Sequence, residues 1–368
     1  MSILIWLLIL MVAVVLHELG HYGIARLNRV AVKAFSVGMG PILARVRRGG
    51  TEWRLSLLPI GGYVEIDGMA PEIDERGGLR PPSHGFARLR TRGKVAILLA
   101  GPVMNVLLAI VLLAGVYSAQ GIREVQVRPD RLALQSVVQG SPAERAGFRA
   151  GDLIIAVDGR DLPDQDVVDG RPRPGFAQAI DALKRGGEHT FRVIRDGREQ
   201  DITFSFNARP GELFGISYSP SGQVITTTRP VANYGAGLLE ASRFAITAVP
   251  QAVSGFGTAV VSILRNPFEP SDQVAGPVTQ VRIAEQVARS GIWDVLYFAA
   301  IINLSLGILN LLPIPSLDGG RILFALIERV RGKPFRPEQE GMVNWLGFAF
   351  VILLMVFVII GDVSRLGR

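Results

Sequence analysis

The 368-residue chain contains no cysteine, which excludes disulfides, thiolate metal ligands and a cysteine nucleophile together. Histidine is scarce as well: four residues, His17, His21, His84 and His189, are all that any imidazole-based site can draw on. Charged residues make up only 19% and aromatic residues 7%, whereas 49% are hydrophobic and the mean hydropathy is +0.33. So little charge places the chain in the membrane class before any segment is read. The net charge of +7 does not argue for nucleic acid, because Lys and Arg cluster beside apolar runs, where membrane topology accounts for them.

Four runs approach the roughly 20 apolar residues that a helical span requires: Ser2 to Leu27, Val95 to Ala119, Val295 to Leu317, and Trp345 to Ile360. A signal peptide is the alternative for the first, but no Lys or Arg precedes its apolar core and no small-residue cleavage pattern follows. Basic residues set the orientation. Arg26, Arg29 and Lys33 follow the first run; Arg88, Arg90, Arg92 and Lys94 precede the second; Arg329, Arg331 and Lys333 separate the third and fourth. Cytoplasmic flanks carry such clusters, so Gly121 to about Asp294 and both termini are expected on the opposite side.

Between the first two runs, Ile42 to Val46 and Trp53 to Leu58 are strand-like, and Pro59-Ile60-Gly61-Gly62 turns into Tyr63-Val64-Glu65-Ile66, a small β-hairpin region. Pro71 to Gly85 is rich in Pro, Gly and charge and reads as a mobile loop. From about Glu124 to Phe206 the balance is that of a water-exposed α+β module, with strands at Leu134–Val138, Leu153–Val157, Thr190–Ile194 and Asp201–Phe206 and a helix near Phe176–Lys184. Tyr234 to Leu264, broken by Pro250 and glycines, reads as amphipathic or surface-lying helices, although its length permits a fifth span. The resulting division is 1–121, an N-terminal membrane part; 122–208, the α+β module; 209–294, a linker with amphipathic helices; and 295–368, a C-terminal membrane part.

The chemistry concentrates in His17-Glu18-Leu19-Gly20-His21. On a helix, histidines four apart lie on one face about 6 Å apart along the axis and can share one zinc, with Glu18 beside them to take a proton from water. Sixteen residues, all apolar except Ser2, precede His17. At about 1.5 Å per residue the metal would sit roughly 24 Å into a core about 30 Å thick. Ionisable groups at that depth default to function; the bland alternative, histidines hydrogen-bonded in a helix bundle, leaves Glu18 buried without a reason.

Catalytic zinc takes three protein ligands and keeps one position open. His84, in a Pro-rich loop, and His189, in the α+β module, read as ordinary surface or structural residues, so the third ligand should be a carboxylate from another span. No charged residue occurs from Val295 to Leu317; Asp318 follows, within Asn310-Leu311-Leu312-Pro313-Ile314-Pro315-Ser316-Leu317-Asp318-Gly319-Gly320, on the same inferred side as the histidines. A helix cap is the structural alternative for Asp318.

These stretches resemble the site-2 protease family, bacterial regulated intramembrane zinc metalloproteases. The resemblance rests on His17 to His21, Phe35-Ser36-Val37-Gly38-Met39-Gly40-Pro41, Leu58 to Val64, Ala100-Gly101-Pro102-Val103-Met104-Asn105, and Asn310 to Gly320, in the family's order. A further set, Gly140-Ser141-Pro142-Ala143, Ala146-Gly147, Gly151-Asp152-Leu153-Ile154 and Asp158-Gly159, resembles one PDZ domain of the bacterial type. The resemblance implies an α-helical polytopic membrane protein with an inserted extracytoplasmic PDZ-like domain, embedded in the bacterial inner membrane with its active site toward the cytoplasm. It implies Zn2+ on His17, His21 and Asp318, Glu18 as general base, Asn310 positioning the substrate backbone, and the strand around Gly62, Tyr63 and Val64 pairing with an unwound substrate. The implied substrates are single-span membrane proteins already trimmed by another protease, such as an anti-sigma factor or signal-peptide remnants. Some relatives carry two PDZ modules in tandem, whereas one is found here. Two rival readings remain: a non-catalytic receptor or scaffold binding peptide ends, which has no use for a buried Glu18, and an ion transporter, which would place more polar residues along the second and fourth spans.

Overall fold

The computed structural model describes residues 2–73, 79–162, 187–206, 214–265 and 276–366. The chain divides into two compact units, Met1–Gly121 with Pro230–Arg368, and Ile122–Arg229.

The first unit is helical apart from one bent sheet. α1 (Ser2–Leu27) and α2 (Thr91–Gln120) flank β1 (Val32–Arg48) and β2 (Thr51–Ile66) in sequence, and α4 (Tyr234–Arg265), α5 (Pro277–Ser290), α6 (Ile292–Asn310), α7 (Asp318–Arg331) and α8 (Pro337–Leu366) complete it. Among the described residues, α1, α2, α4, α6 and α8 are long and apolar enough to cross a membrane. The expected helix pair at 234–264 is instead one continuous helix that carries Pro250 within it. The expected span from Val295 to Leu317 is also shorter than read: α6 ends at Asn310, because Pro313 and Pro315 have no N–H to continue the ladder, and a separate helix opens at Asp318.

Small residues set the helix contacts, as they must where apolar solvent gives no hydrophobic drive and close backbone approach supplies the attraction. A Cβ on Gly20 would strike the Ala100 carbonyl of α2, and one on Gly307 of α6 would lie 2.9 Å from the Pro102 carbonyl. The direction of α6 follows from its neighbours: Phe298 in its first half shares a core cluster with Ile9 of the first half of α1, and Asn310 at its end lines the same cavity as His17 and His21, so the two helices run the same way. The start of α5 is capped by Asp362 of α8, whose carboxylate accepts from the Gly276 and Thr279 amides at 3.2 and 2.9 Å and from the Thr279 hydroxyl at 2.8 Å.

The hairpin region is larger than the sequence periodicity suggests. β1 and β2 pair from Arg48↔Thr51 outward, and the first half of β1 is flanked on both sides by β2, Ser36 lying against Arg54 and against Tyr63. Phe35, Tyr22 and Trp53 form an aromatic cluster that seats this sheet on α1, with ring centroids 4.9–6.0 Å apart. The stretch read as a mobile loop holds a two-residue strand pair, β3 (Glu72–Ile73) with β4 (Leu79–Arg80). His84, within that stretch, bridges Asp67 at 3.0 Å and Glu72 at 3.1 Å.

The second unit is a six-stranded antiparallel sheet built from β5 (Ile122–Val137), β6 (Leu153–Val157), β7 (Arg160–Asp161), β8 (Gly187–Arg195), β9 (Arg198–Phe206) and β10 (Ile216–Arg229). The order is β10-β5-β6-β8-β9 with β7 beside β6, and the short helix α3 (Pro142–Arg145) is capped by Ser141. β10 lies in what the sequence reading takes as linker; it pairs with β5 along its whole length, so the unit runs to Arg229 rather than ending near 208. The helix expected near Phe176–Lys184 lies outside the described residues. The core is aromatic: Phe148, Phe191, Phe204 and Phe214 meet at 4.9–5.7 Å. Asp152 is buried there and held by Arg195 through two 2.7 Å contacts, with the Arg149 amide at 2.9 Å. His189 contacts Asp158 at 2.8 Å, a local surface pairing.

Candidate metal centre

α1 presents His17 and His21 on one face, one turn apart, and α2 covers that face. His21 Nδ1 lies 2.7 Å from the Ile97 carbonyl. A carbonyl oxygen only accepts, so Nδ1 carries the hydrogen and Nε2 keeps a lone pair directed into the site. Pro102 lies within this helix and has no N–H for the Leu98 carbonyl, so the α2 ladder lacks one bond next to the Ile97 carbonyl that accepts the imidazole.

The Nε2 atoms of the two histidines are 3.1 Å apart, and Asp318 Oδ2 stands 3.1 Å from the first and 3.4 Å from the second. Both histidines are buried, at 8% and 6% exposure, so converging lone pairs here need a cation or a proton among them. Ligand atoms at about 2.0–2.2 Å around a tetrahedral zinc stand about 3.3–3.6 Å from each other, which this set nearly matches before any ion draws on it. Two imidazoles and one carboxylate are also a donor set that suits zinc. Asp318 is the first residue of α7, and the cap position is Leu317 without a side-chain cap bond, so its carboxylate is turned to the histidines rather than to its own helix.

These atoms open onto a cavity of about 360 Å³. Glu18, Tyr63, Val64 and Asn310 line it with the three ligands, so the expected site residues from α1, β2, α6 and α7 meet in one place. The Val64 amide lies beside the Glu18 carboxylate. Gly62 lies at the edge of this group; a Cβ there would come 2.8 Å from the Ser36 carbonyl, so glycine lets this stretch of β2 lie close against β1, with Glu18 Cγ at 3.8 Å on the α1 side. Ser316, in the turn before Asp318, adopts φ +79°, a left-handed conformation that a non-glycine residue holds only when its surroundings impose it. Its amide donates to Asn344 Oδ1 of α8 at 3.3 Å, and Gly347 packs on Pro315, so α8 fixes the turn that delivers Asp318.

Sequence reasoning assigned no role to Gly101, Asn105, Ser316 or Arg321, all of which border the site. For the first two a signal was available, since both fall in the quoted Ala100–Asn105 stretch. Gly101 faces both histidines: a Cβ there would collide with His21 Nε2 and lie 2.7 Å from His17 Nε2. Gly101→Ala should therefore weaken zinc binding by roughly tenfold or more, as disturbed ligand surroundings do. Metal content of the purified chain after dialysis against a weak chelator measures this, and full zinc occupancy in the variant would contradict the packing described.

Comparison with known proteins agrees with this geometry. The chain is 30% identical to a protein of Rhizobium meliloti (strain 1021) named as a zinc metalloprotease, over 98% of this chain and 96% of that protein. A similarly named protein of Bartonella henselae is 32% identical over 96% and 98% of the two chains. "Zinc metalloprotease RasP" of Shouchella clausii is 28% identical, with 99% of each covered. Residues 5–354 match peptidase family M50, a stretch that holds both histidines, Glu18 and Asp318, and on that match the chain belongs to peptidase family M50.

Proposed function

We propose that the chain is an intramembrane zinc metalloprotease in which His17, His21 and Asp318 hold the metal and Glu18 is the general base. The observation that carries this reading is the meeting of three ligand atoms and one further carboxylate in a single cavity, part-way along an apolar helix. The enzyme class itself, a zinc metalloprotease embedded in a membrane, follows from the M50 family and from the long apolar helices.

When bound, zinc supplies the Lewis acidity that makes amide hydrolysis feasible near neutral pH. Glu18 takes a proton from the attacking water and returns it to the leaving amine, with the Val64 amide beside its carboxylate. Asn310, at the end of α6, offers an amide to the substrate backbone. Glu18→Gln keeps the shape but removes the base, so cleavage of a single-span substrate in detergent or lipid should fall about 10²–10⁴-fold. A chelator should abolish the wild-type activity. Equal cleavage by the variant would exclude Glu18 as the base.

A transmembrane helix hides its peptide bonds in its own ladder, so the substrate must unwind locally and find other partners for the freed groups. The Gly62–Val64 segment of β2 borders the cavity and supplies a strand for such pairing. Tyr63→Pro should slow cleavage about fivefold for each lost hydrogen bond of about 1 kcal/mol, with zinc content unchanged. Undiminished cleavage would count against strand pairing.

Basic residues place the active-site end of α1 and α6 toward the cytoplasm. Because α6 runs in the same direction as α1 while α2 runs between them in sequence, the stretch from α4 to α5 adds no net crossing. This supports a reading with four spans, α1, α2, α6 and α8, and with both termini and the Ile122–Arg229 unit outside. The glycine-rich turns of that unit and its sheet support a PDZ-like domain that admits substrates already trimmed by another protease, anti-sigma factors or signal-peptide remnants among them. Deleting Ile122–Arg229 should let untrimmed substrates be cut nearly as fast as trimmed ones. Retained discrimination between the two would remove the gating role.

A further inference from the structure

We propose that Asn105 is the positioning residue for His17, its Oδ1 accepting the Nδ1–H of that imidazole and thereby fixing Nε2 toward the metal. The inference rests on the reading of His17, His21 and Asp318 as metal ligands. His17 Nε2 is the nitrogen that faces Asp318 and His21, so as a ligand it must be unprotonated, and the ring hydrogen then sits on Nδ1. A buried N–H needs an acceptor. The side-chain amide of Asn105 lies 3.4 Å from Nδ1, and Asn105 is itself 1% exposed.

Among the described residues, Asn105 Oδ1 has no hydrogen-bond partner. With the NH2 group turned to His17, a donor would face the donor of a metal-bound imidazole and the oxygen would stay orphaned. Turning the amide by 180° removes the clash of donors and gives the oxygen its hydrogen bond from Nδ1, and the two orientations occupy the same space. Asn105 is not free to move away: α6 packs on it through Gly307, where a Cβ would already stand 3.4 Å from Asn105 Cβ.

The placement on α2 has a simple register. Ile97, Gly101 and Asn105 are spaced four apart on one helical face. The Ile97 carbonyl accepts from His21, Gly101 leaves room for both imidazoles, and Asn105 reaches His17. Each ligand histidine thus has its second nitrogen anchored by α2, one by backbone and one by side chain, the arrangement by which outer partners orient metal-bound imidazoles.

The test compares zinc affinity, by competition with a chromophoric chelator, and the visible absorption of the cobalt(II)-substituted full-length chain in detergent, for wild type, Asn105→Leu, Asn105→Asp and His17→Ala. Leu has nearly the same size but cannot accept; Asp can. Positioning predicts about a 10–100-fold loss of zinc affinity and an altered cobalt spectrum for Asn105→Leu, with Asn105→Asp close to wild type. A residue that merely fills space would give the reverse order, since Leu suits an apolar junction and a buried carboxylate does not. Wild-type affinity in Asn105→Leu, with His17→Ala impaired, overturns the inference while leaving the metal site standing. Unchanged affinity in His17→Ala overturns the metal reading and this inference with it. Should Asn105→Leu not fold, Asn105→Asp decides: retained affinity and spectrum support the assignment, and a tenfold loss ends it.

Discussion

No side chain fits where α2 passes His17 and His21, and that exclusion at Gly101 sets the geometry of everything around it. Because α2 can come so close, its Ile97 carbonyl reaches His21 and its Asn105 amide approaches His17. Gly20 on the opposing helix permits the same approach from the other side, against Ala100. In a water-soluble enzyme a histidine pair could be steadied by any neighbouring loop. Within a bundle of apolar helices the available partners are backbone groups and a few polar side chains, so the helix axes themselves must be brought together.

The third side of the centre is assembled differently. Asp318 comes from a turn that two prolines cut out of what would otherwise be continuous helix, and the turn folds back so tightly that Cβ atoms on Gly319 or Gly320 would strike the carbonyls of Leu311 to Ile314. Ser316 holds its left-handed backbone because α8 anchors its amide through Asn344. The carboxylate is thus placed by irregular backbone lying among protein neighbours, the setting in which such backbone is tolerated at membrane depth.

How much of this was legible in the sequence differs between features. The histidine pair and Glu18 were readable because one helical turn fixes their relation, whatever the rest of the chain does. Asp318 was readable by scarcity: no charged residue occurs from Val295 to Leu317, and Asp318 is the first to follow. The second halves of the interactions were not. That the Val64 amide lies beside Glu18, or that Ile97 accepts from His21, depends on backbone atoms brought together across 46 and 76 positions, and backbone atoms carry no residue signature. β10 was missed for a related reason: Ile216–Arg229 mixes Ser, Thr, Pro and Gly and becomes a strand only through pairing with the distant β5. α4 was divided in two because Pro250 and its glycines weigh heavily in local propensity, whereas packing of Ala245, Ala248 and Ala252 against α2 and α6 runs across the proline in one continuous helix.

The three residues that could hold a metal ion come from distant stretches of the chain, two from α1 and one from α7. A metal held by all three is therefore a clasp as well as a reagent. It closes a loop of about 300 residues, and a covalent link over that separation would restrict an unfolded chain by roughly 6 kcal/mol at room temperature. Lipid confinement already limits where the helices can go, so the gain here is smaller, but its sign is the same. An ion held there would tie two distant stretches of the chain together, and the two halves of the bundle would share a single knot.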